Sequence, residues 1–220
     1  MDERLASIII PSKGRPYQLR DCVDGILATT AGYQIEIIIV VDDLEGYADL
    51  LKDYPVKLIH QDEPGAIRGW NKGLKESQGE IVVMGADDLV FNPGWYEAML
   101  AGFERGRFVG LTYFTDQRGT WATHYAMTRD YLIEHNGGVL ICPAYHHQYI
   151  DFEASARAMK AGEYIPVSPI IEHRHPAYGT AVWDQTYEQG CKKWAEADGI
   201  IHDRRVEAGY PDDFEAVITA

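Results

Sequence analysis

Residues 81–88, with the sequence IVVMGADD, decide how this chain is expected to fold. Four apolar residues form a run of strand length, and the run leads through Gly-Ala into two aspartates. A short apolar run bounded by a turn is typical of a strand that is buried on both faces. Three further apolar runs of this kind lie in the first half, at Ala6–Pro11, Ile35–Val41 and Val56–His60. The first half is therefore expected to contain four buried strands, each followed by a polar turn.

Helices are predicted between these strands. The spacing of apolar residues indicates helices at Tyr17–Thr29, Leu44–Tyr54, Ala66–Ser77 and from Pro93 to about Phe103. Strands that alternate with helices imply right-handed crossovers and a mostly parallel sheet with helices on both faces. Ligands of such sheets bind at the carboxyl ends of the strands. The polar turns after the four strands are therefore the predicted position of a site.

The second half of the chain has a different pattern. Two strands, a helix, a further strand and a polar helical tail are predicted, at Phe108–Thr115, Ala122–Thr128, Gln148–Ala161, Tyr164–Ile171 and after Ala181. The first two strands would form a hairpin-like pair across residues 116–119. We interpret the change near residue 105 as the boundary between two halves, 1–105 and 106–220, of one α/β domain with a mixed sheet.

Composition and charge limit the classes of function. The chain has 220 residues, of which 34 are acidic and 20 are basic, and its net charge is −14. Such a charge repels nucleic acid and anionic lipid, so we expect no nucleic-acid partner, and an anionic substrate would need a locally positive site or a divalent cation. No apolar run approaches the ~20 residues that cross a bilayer. Residues 1–4 lack the basic start of a signal peptide. We therefore expect no membrane span and a cytoplasmic location.

Asp87 and Asp88 are the most direct candidates for chemistry. Two adjacent carboxylates at the end of a buried strand are costly unless a cation lies beside them. Their oxygens suit Mg²⁺ or Mn²⁺, which proteins often hold with one or two carboxylates and the phosphates of a substrate. A solvated turn, with one aspartate capping the next helix, would explain the same residues. His173 and His175 follow a predicted strand and could reach one site from the same face, either as metal ligands or as exposed polar residues.

Other polar residues near the predicted strand and helix ends could bind a substrate. Asp151 and Glu153 begin a predicted helix, where acids complement the helix dipole and where one of them could act as a general base. Asn71 lies inside a helix, where asparagine is a mediocre helix former, and this indicates a polar contact. Three positive charges could offset phosphates, at Lys13, Arg15 and Arg68.

Taken in order, these segments resemble family 2 glycosyltransferases, which have the GT-A fold, a Rossmann-like mixed sheet, and invert the anomeric configuration. The resemblance spans roughly residues 6 to 176. Ser7–Arg15 is similar to the family's opening strand and nucleotide loop, and Ile37–Asp43 to its second strand, whose terminal acid contacts the base. Gly65–Gly79 is similar to a further segment near the nucleotide, with Trp70 where an arginine is common. The resemblance places these residues at the nucleotide: Pro11, Ser12, Arg15, Asp42, Asp43, Arg68, Asn71 and Asp87.

The acidic turn is similar to the family's Asp-x-Asp motif, with one acid missing. The family's proline follows the metal-binding aspartate by five residues, and counting back from Pro93 gives Asp88 as the ligand. Asp87 then takes the middle position and Ala86 the place of the first acid. Shifting the register by one residue makes Asp87 the ligand instead. His173 matches the family's histidine that can complete the metal site.

The resemblance implies a reaction as well as a site. Asp151 takes the place of the catalytic base, although Ile150 replaces the glutamate that usually precedes it. Residues 1–105 would bind a UDP- or GDP-linked sugar with Mn²⁺ or Mg²⁺, and residues 106–220, with their helical C-terminal tail, would bind a carbohydrate or another hydroxyl acceptor. Two alternatives remain from the residues: a sugar-nucleotide nucleotidyltransferase, and an inactive nucleotide- or carbohydrate-binding protein of the same fold.

Overall fold

A seven-stranded mixed sheet forms the centre of the protein. The structure is a computed structural model that describes residues 3–44, 46–114, 121–167 and 171–214. Its strands are β1 (Ala6–Ser12), β2 (Ile35–Val41), β3 (Val56–His60), β4 (Ile81–Met84), β5 (Leu89–Phe91), β6 (Leu111–Phe114), β7 (His124–Thr128), β8 (Tyr164–Val167) and β9 (Ile171–His173). The order in the large sheet is β3-β2-β1-β4-β7-β6-β8, and β5 pairs with β9 in a second, two-stranded sheet.

The four strands predicted in the first half are confirmed, and they are parallel. β1 pairs in parallel with β2 and β4, and β2 pairs in parallel with β3. β7 runs antiparallel to both β4 and β6, which confirms the pairing predicted for the second half and makes the sheet mixed. The turn predicted at residues 116–119 lies outside the described residues.

Helices cover both faces of the sheet, as predicted. They are α1 (Pro16–Thr29), α2 (Ala48–Leu51), α3 (Ala66–Lys75), α4 (Trp95–Arg105), α5 (Arg129–His135), α6 (Ile150–Ala161), α7 (Gln185–Tyr187) and α8 (Ala195–Glu207). Ile8 on β1 packs into a core with Phe103 of α4, whereas its neighbour Ile9 packs into a second core with Trp70 of α3. Successive residues of a strand face opposite sides. The chain is thus a single α/β domain, and none of the described helices is long and apolar enough to cross a membrane.

Three predicted elements differ in extent, and each difference has a local cause. The helix predicted at Leu44–Tyr54 is reduced to the single turn α2, because Gly46 has a left-handed φ of 78° that a helix cannot include. The strand predicted at Phe108–Thr115 begins only at β6, because Arg107 and Phe108 have φ values of 56° and 59°. The third difference, at Tyr164–Ile171, positions the site.

The strand predicted at Tyr164–Ile171 is instead two strands, β8 and β9, with residues 168–170 outside the described residues. β8 pairs in parallel with β6 of the large sheet, and β9 pairs antiparallel with β5. A continuous apolar pattern does not show that its two ends pair with strands of different sheets. The sequence alone therefore did not reveal this division into β8 and β9. The pairing aligns His173 with Leu89, next to Asp88.

Candidate active site

The acidic turn lies where the carboxyl ends of β1 and β4 meet. β4 ends at Met84, and the turn Gly85–Asp88 follows it directly. Gly85 is held against β1: a Cβ there would lie 2.8 Å from the Ile10 side chain and 3.0 Å from the Ile9 carbonyl oxygen. A larger residue would therefore push the turn away from the sheet. This close approach places Asp87 and Asp88 beside the loop that follows β1.

Asp87 is buried and is bound by the loop after β1. Ser12 Oγ donates a hydrogen bond of 2.6 Å to its Oδ2, and Arg15 Nη1 lies 3.3 Å from its Oδ1. Tyr47 OH lies 3.0 Å from Ser12 Oγ and accepts a hydrogen bond of 3.0 Å from the Arg15 backbone N–H. Burial, and next the charge of Asp88, raise the pKa of Asp87 above its ordinary value. The Asp87 side chain therefore joins the acidic turn to the predicted nucleotide loop.

Asp88 has different partners, which come from the second half of the chain. His173 Nε2 lies 3.3 Å from its Oδ2, and Tyr187 OH donates a hydrogen bond of 3.1 Å to the same oxygen. The Arg174 backbone N–H donates a 2.9 Å hydrogen bond to the Asp88 carbonyl oxygen. Burial alone would raise the pKa of Asp88, but the hydrogen bond and charge of His173 outweigh it and lower the pKa. The pKa of Asp88 therefore lies below its ordinary value, and that of Asp87 lies above it.

The donor atoms around Asp88 fit a divalent cation. Asp88 Oδ1 and His173 Nδ1 are buried and have no hydrogen-bond partner within the described part of the chain. A carboxylate oxygen and an imidazole nitrogen are ligands that Mn²⁺ accepts, and carboxylate also suits Mg²⁺. Among the described residues, no three His, Cys, Asp or Glu side chains form a ready metal cluster. A cation here would need further ligands, as Mg²⁺ does when it takes oxygens from water and substrate phosphates.

A short segment before and within α7, Asp184–Tyr187, packs against the site; it lies in the helical tail predicted after Ala181, but its contacts with Arg15 and Asp88 were not predicted. Asp184 forms an ion pair with Arg15, with N–O distances of 2.8 and 2.7 Å, and caps α7 by accepting from the Tyr187 backbone N–H. The Arg15 guanidinium lies 3.8 Å above the Tyr187 ring. An aspartate before a helix start was a usable local signal for the cap. Nothing in the sequence linked that cap to Arg15, which lies 169 residues earlier.

The predicted base-binding residues lie at the carboxyl end of β2. Asp42 accepts a hydrogen bond from the Gln61 side-chain amide, and Lys13 Nζ lies 3.6 Å from its other oxygen. Asp43 is exposed in the loop after β2, and Pro11 lies near the end of β1 against Gly69. A Cβ at Gly69 would lie 2.9 Å from the Pro11 ring. The two aspartates thus form an acidic edge on the other side of the β1 loop from the acidic turn.

Arg68 and Asn71, on α3, do not join the acidic turn. Arg68 pairs with Glu63, and both side chains are exposed. Asn71 Nδ2 donates to the Ile141 carbonyl oxygen at 2.7 Å, and its Oδ1 accepts from the backbone N–H groups of Leu140 and Ile141. The polar contact predicted for Asn71 is therefore present, and it is made to the chain itself.

The two carboxylates at the start of α6 have separate environments. Glu153 is buried and binds Arg205 at 2.6 and 2.7 Å, Arg157 at 3.0 Å and Tyr145 OH at 3.0 Å. Asp151, two residues nearer the start of the helix, is partly exposed. Of the two candidates for a general base, Glu153 is therefore held by two arginines, and Asp151 is the one that a substrate could reach.

Aromatic residues near α6 also fall into a buried group and a more exposed group. Tyr125 and Tyr145 are buried in the core, so neither offers a face to a ligand. Trp121 is 37% exposed and stacks on Phe152 with ring centroids 4.6 Å apart. Tyr149 is partly buried and stacks on His202. Trp121 is thus the candidate for contact with a sugar ring.

Comparison with known proteins identifies the family of this chain and its fold. The family model described as glycosyl transferase family 2 matches residues 7–159, more than half of the chain. No curated protein sequence matches it. Among solved structures, the mannosyltransferase PcManGT from Pyrobaculum calidifontis, in complex with GDP-Man and Mn²⁺, has a TM-score of 0.58 and 16% identity. Glucosyl-3-phosphoglycerate synthase from Mycobacterium tuberculosis, in complex with phosphoglyceric acid, has a TM-score of 0.63 and 13% identity.

These structural neighbours show the fold, which is that of the GT-A glycosyltransferases. S. aureus TarS is a third, with a TM-score of 0.60 and 11% identity. The matches cover 77–78% of this chain. The chain spans 57% of PcManGT and 36% of TarS, but 72% of the synthase.

Proposed function

We propose that this chain, which belongs to glycosyl transferase family 2, moves a sugar from a nucleotide diphosphate sugar to an acceptor hydroxyl and inverts the anomeric configuration. The observation that carries the proposal is the buried acidic turn at the carboxyl end of β4, joined to His173 at 3.3 Å from Asp88 Oδ2. Ligands of parallel sheets bind at this end of the strands. The family supports transfer of a sugar, and a cation held at the acidic turn would let this end of the sheet accept a diphosphate.

Residues 1–105 bind the donor in this proposal. Asp42 or Asp43 holds the base or the ribose, and Ser12 and Pro11 shape the floor of the site. Arg15, already beside Asp87, is the buried positive charge nearest to a diphosphate. Asp88 and His173 would hold Mn²⁺ or Mg²⁺, with Asp87 in support. When bound, the cation supplies positive charge for the leaving diphosphate, and PcManGT was solved with GDP-Man and Mn²⁺. We propose a UDP- or GDP-linked sugar as the donor.

Asp151 acts as the general base. It takes the proton of the acceptor hydroxyl while the oxygen attacks the anomeric carbon on the side opposite to the leaving diphosphate. Glu153 is held by arginines and keeps the helix start in place. Residues 106–220 bind the acceptor, a carbohydrate or another hydroxyl compound, and Trp121 offers a ring face for stacking.

Asp151→Asn is the direct test of this function. We expect the transfer rate to fall by about 10²- to 10⁴-fold, the usual contribution of a general base. Binding of the nucleotide diphosphate with Mn²⁺, measured by calorimetry, should stay near that of the wild type. Asp130→Asn, which removes an acid from the first turn of α5, is the matched control and should keep the wild-type rate. A wild-type rate in Asp151→Asn would contradict the assignment of the base.

One alternative rests on a specific departure from the family pattern. Ala86 stands where the first acid of the motif is usual, and Ile150 stands where a glutamate is usual. These residues favour a protein that binds nucleotides or carbohydrates without transfer. Calorimetry with UDP and GDP, with and without Mn²⁺, followed by an assay for donor hydrolysis or transfer, separates the two. Pyrophosphate release from a nucleoside triphosphate and a sugar phosphate would instead indicate a nucleotidyltransferase.

A further inference from the structure

Helix α8, Ala195–Glu207, presents three side chains to one segment of the chain. Asp198, His202 and Arg205 are spaced four and three residues apart, so they lie on one face of the helix. All three contact residues 146–153, the segment that surrounds Asp151. The match to the family model ends at residue 159, so α8 lies beyond the matched region.

Asp198 fixes the loop that leads into α6. Its side chain is fully buried, and it accepts hydrogen bonds from three consecutive backbone N–H groups, those of His146, His147 and Gln148, at 2.9, 2.8 and 2.7 Å. His146 Nδ1 lies 2.8 Å from Asp198 Oδ1. Hydrogen bonds between a carboxylate and backbone N–H groups are charge-assisted and are roughly twice as strong as neutral ones. Asp198 therefore fixes the backbone of the loop, independently of the contacts that the side chains of the loop make.

His202 holds the residue at which the loop becomes a helix. Its ring stacks on Tyr149, with centroids 4.7 Å apart and planes 18° apart. Tyr149 has a left-handed φ of 64°, a conformation that a bulky residue adopts only when its surroundings hold it there. His202 also meets the Phe152 ring edge to face, with centroids 5.8 Å apart. The residues on both sides of Ile150 and Asp151 thus contact the same imidazole.

Arg205 holds the first turn of α6 itself. It binds both oxygens of Glu153, at 2.6 and 2.7 Å, and both side chains are almost completely buried. Two residues separate Tyr149 from Phe152, and Asp151 is one of them. The backbone is therefore fixed immediately before and immediately after the residue that is proposed to be the base.

We propose that α8 is a positioning brace for Asp151, and this inference rests on the proposed function of that residue. Asp198, His202 and Arg205 touch neither the substrate nor the reacting atoms in this role. They set where the Asp151 carboxylate stands relative to the acceptor hydroxyl. A displacement of about 1 Å in a catalytic group can reduce a rate by about 10²-fold. The brace is therefore expected to act on kcat and to leave binding of the donor unchanged.

His202→Ala, with His202→Phe as its conservative partner, is the experiment that tests the brace. Alanine removes the stacked ring, whereas phenylalanine keeps it and loses only the 3.4 Å contact between His202 Nδ1 and Tyr145 OH. We expect His202→Ala to lower kcat by about 10- to 100-fold, with the KM for the donor and the Kd for nucleotide diphosphate and Mn²⁺ unchanged. His202→Phe should recover most of that kcat.

Asp198→Asn, with Asp203→Asn as a control on the exposed side of the same helix, extends the test. Asparagine cannot accept from three N–H groups with full charge, so kcat should fall again, and Asp203→Asn should keep the wild-type kcat. Where Asp198→Asn does not fold, the two His202 variants decide. A wild-type kcat in His202→Ala, an equal loss of donor affinity and kcat, or no recovery in His202→Phe would overturn the brace.

Failure of the brace and failure of the proposed function have different outcomes. Loss of transfer in Asp151→Asn together with a wild-type kcat in His202→Ala rejects the brace and keeps the base. A wild-type rate in Asp151→Asn rejects the base, and with it the brace. Both variants are measured in the full chain with the same donor and acceptor.

Discussion

The acidic turn and the start of α6 each contain two neighbouring carboxylates, and in each pair one is bound by arginine. At the turn, Arg15 and Ser12 bind Asp87, whereas Asp88 keeps one buried oxygen without a partner in the described residues. On α6, arginines surround Glu153, whereas Asp151 stays partly exposed. The two regions therefore share one arrangement, although one lies in a turn of the first half and the other on a helix of the second.

The two regions differ in the surroundings of the carboxylate that arginine does not bind, which is Asp88 in the turn and Asp151 on α6. Asp88 has a lowered pKa and is buried beside a histidine, which suits a cation. Asp151 is partly exposed at a helix start, which suits a base that meets a substrate from solution. Environments that separate the roles of neighbouring carboxylates are a common property of enzyme sites. The comparison predicts that the arginine-bound member of each pair acts on stability and that the other member acts on function.

Glu153→Ala should produce the largest effect on stability. It leaves the buried guanidinium of Arg205 without its carboxylate, and breaking one partner of a buried ion pair costs about 3–5 kcal/mol. The free energy of unfolding, measured with a chemical denaturant, checks this value. Asp151→Ala is the matched control and should cost less than about 1 kcal/mol, the contribution of an acid to the helix dipole. Equal losses in the two variants would remove the contrast between the arginine-bound carboxylate and its neighbour.

Asp88→Ala should produce the next largest effect, on metal-dependent nucleotide binding. Loss of a residue that only supports a metal ligand weakens binding by about 10- to 100-fold, so loss of a ligand should exceed that range. Calorimetry of nucleotide diphosphate with Mn²⁺ measures the change. Tyr187→Phe removes the hydroxyl that contacts Asp88 at 3.1 Å and the Arg174 carbonyl oxygen at 2.8 Å, but it leaves the carboxylate in place and should have a smaller effect. Metal-dependent binding that persists in Asp88→Ala would favour the register in which Asp87 is the ligand.

Asn71→Ala tests a residue that joins the two halves. Its side chain makes three hydrogen bonds to the backbone of Leu140 and Ile141, and their loss leaves buried groups without partners. We expect a loss of about 1–3 kcal/mol in the free energy of unfolding. Donor affinity, measured on the same sample below its unfolding transition, should change little. A loss of donor affinity without a loss of stability would instead support the role at the nucleotide that the family resemblance implies for Asn71.

Arg68→Ala should produce the smallest effect, both on the free energy of unfolding and on donor affinity. Its ion pair with Glu63 is exposed, and exposed pairs contribute about 0–1 kcal/mol. Arg15→Ala is the variant to compare with it. Because Arg15 lies beside Asp87 and should be needed for donor binding, its loss should lower donor affinity. Parallel calorimetry of the two variants gives the comparison. A large loss of donor affinity in Arg68→Ala would show that its side chain turns towards the phosphates when the donor binds.

Local sequence patterns predicted the central sheet because each strand is a short apolar run with a polar end. They predicted α6 nearly to the residue, from Gln148 against an observed start at Ile150. They missed β5, because three residues between an acidic turn and a proline carry too little periodicity. They also missed α5, which begins at Arg129 directly after β7 and whose cap is the last residue of that strand.

The sequence by itself determined the four buried strands of the first half, the acidic turn and the acids at the start of α6, because periodicity and turn residues are local properties of the chain. Only the tertiary structure decided which partner each carboxylate has. Asp88 meets His173 because β5 pairs with β9, and Tyr187 returns to the same oxygen from near the end of the described chain. The contacts of α8 with residues 146–153 likewise join segments about fifty residues apart. Such contacts depend on how helices and strands pack against one another. Packing between distant segments produces no local periodicity in the sequence, so it could not be predicted from the sequence.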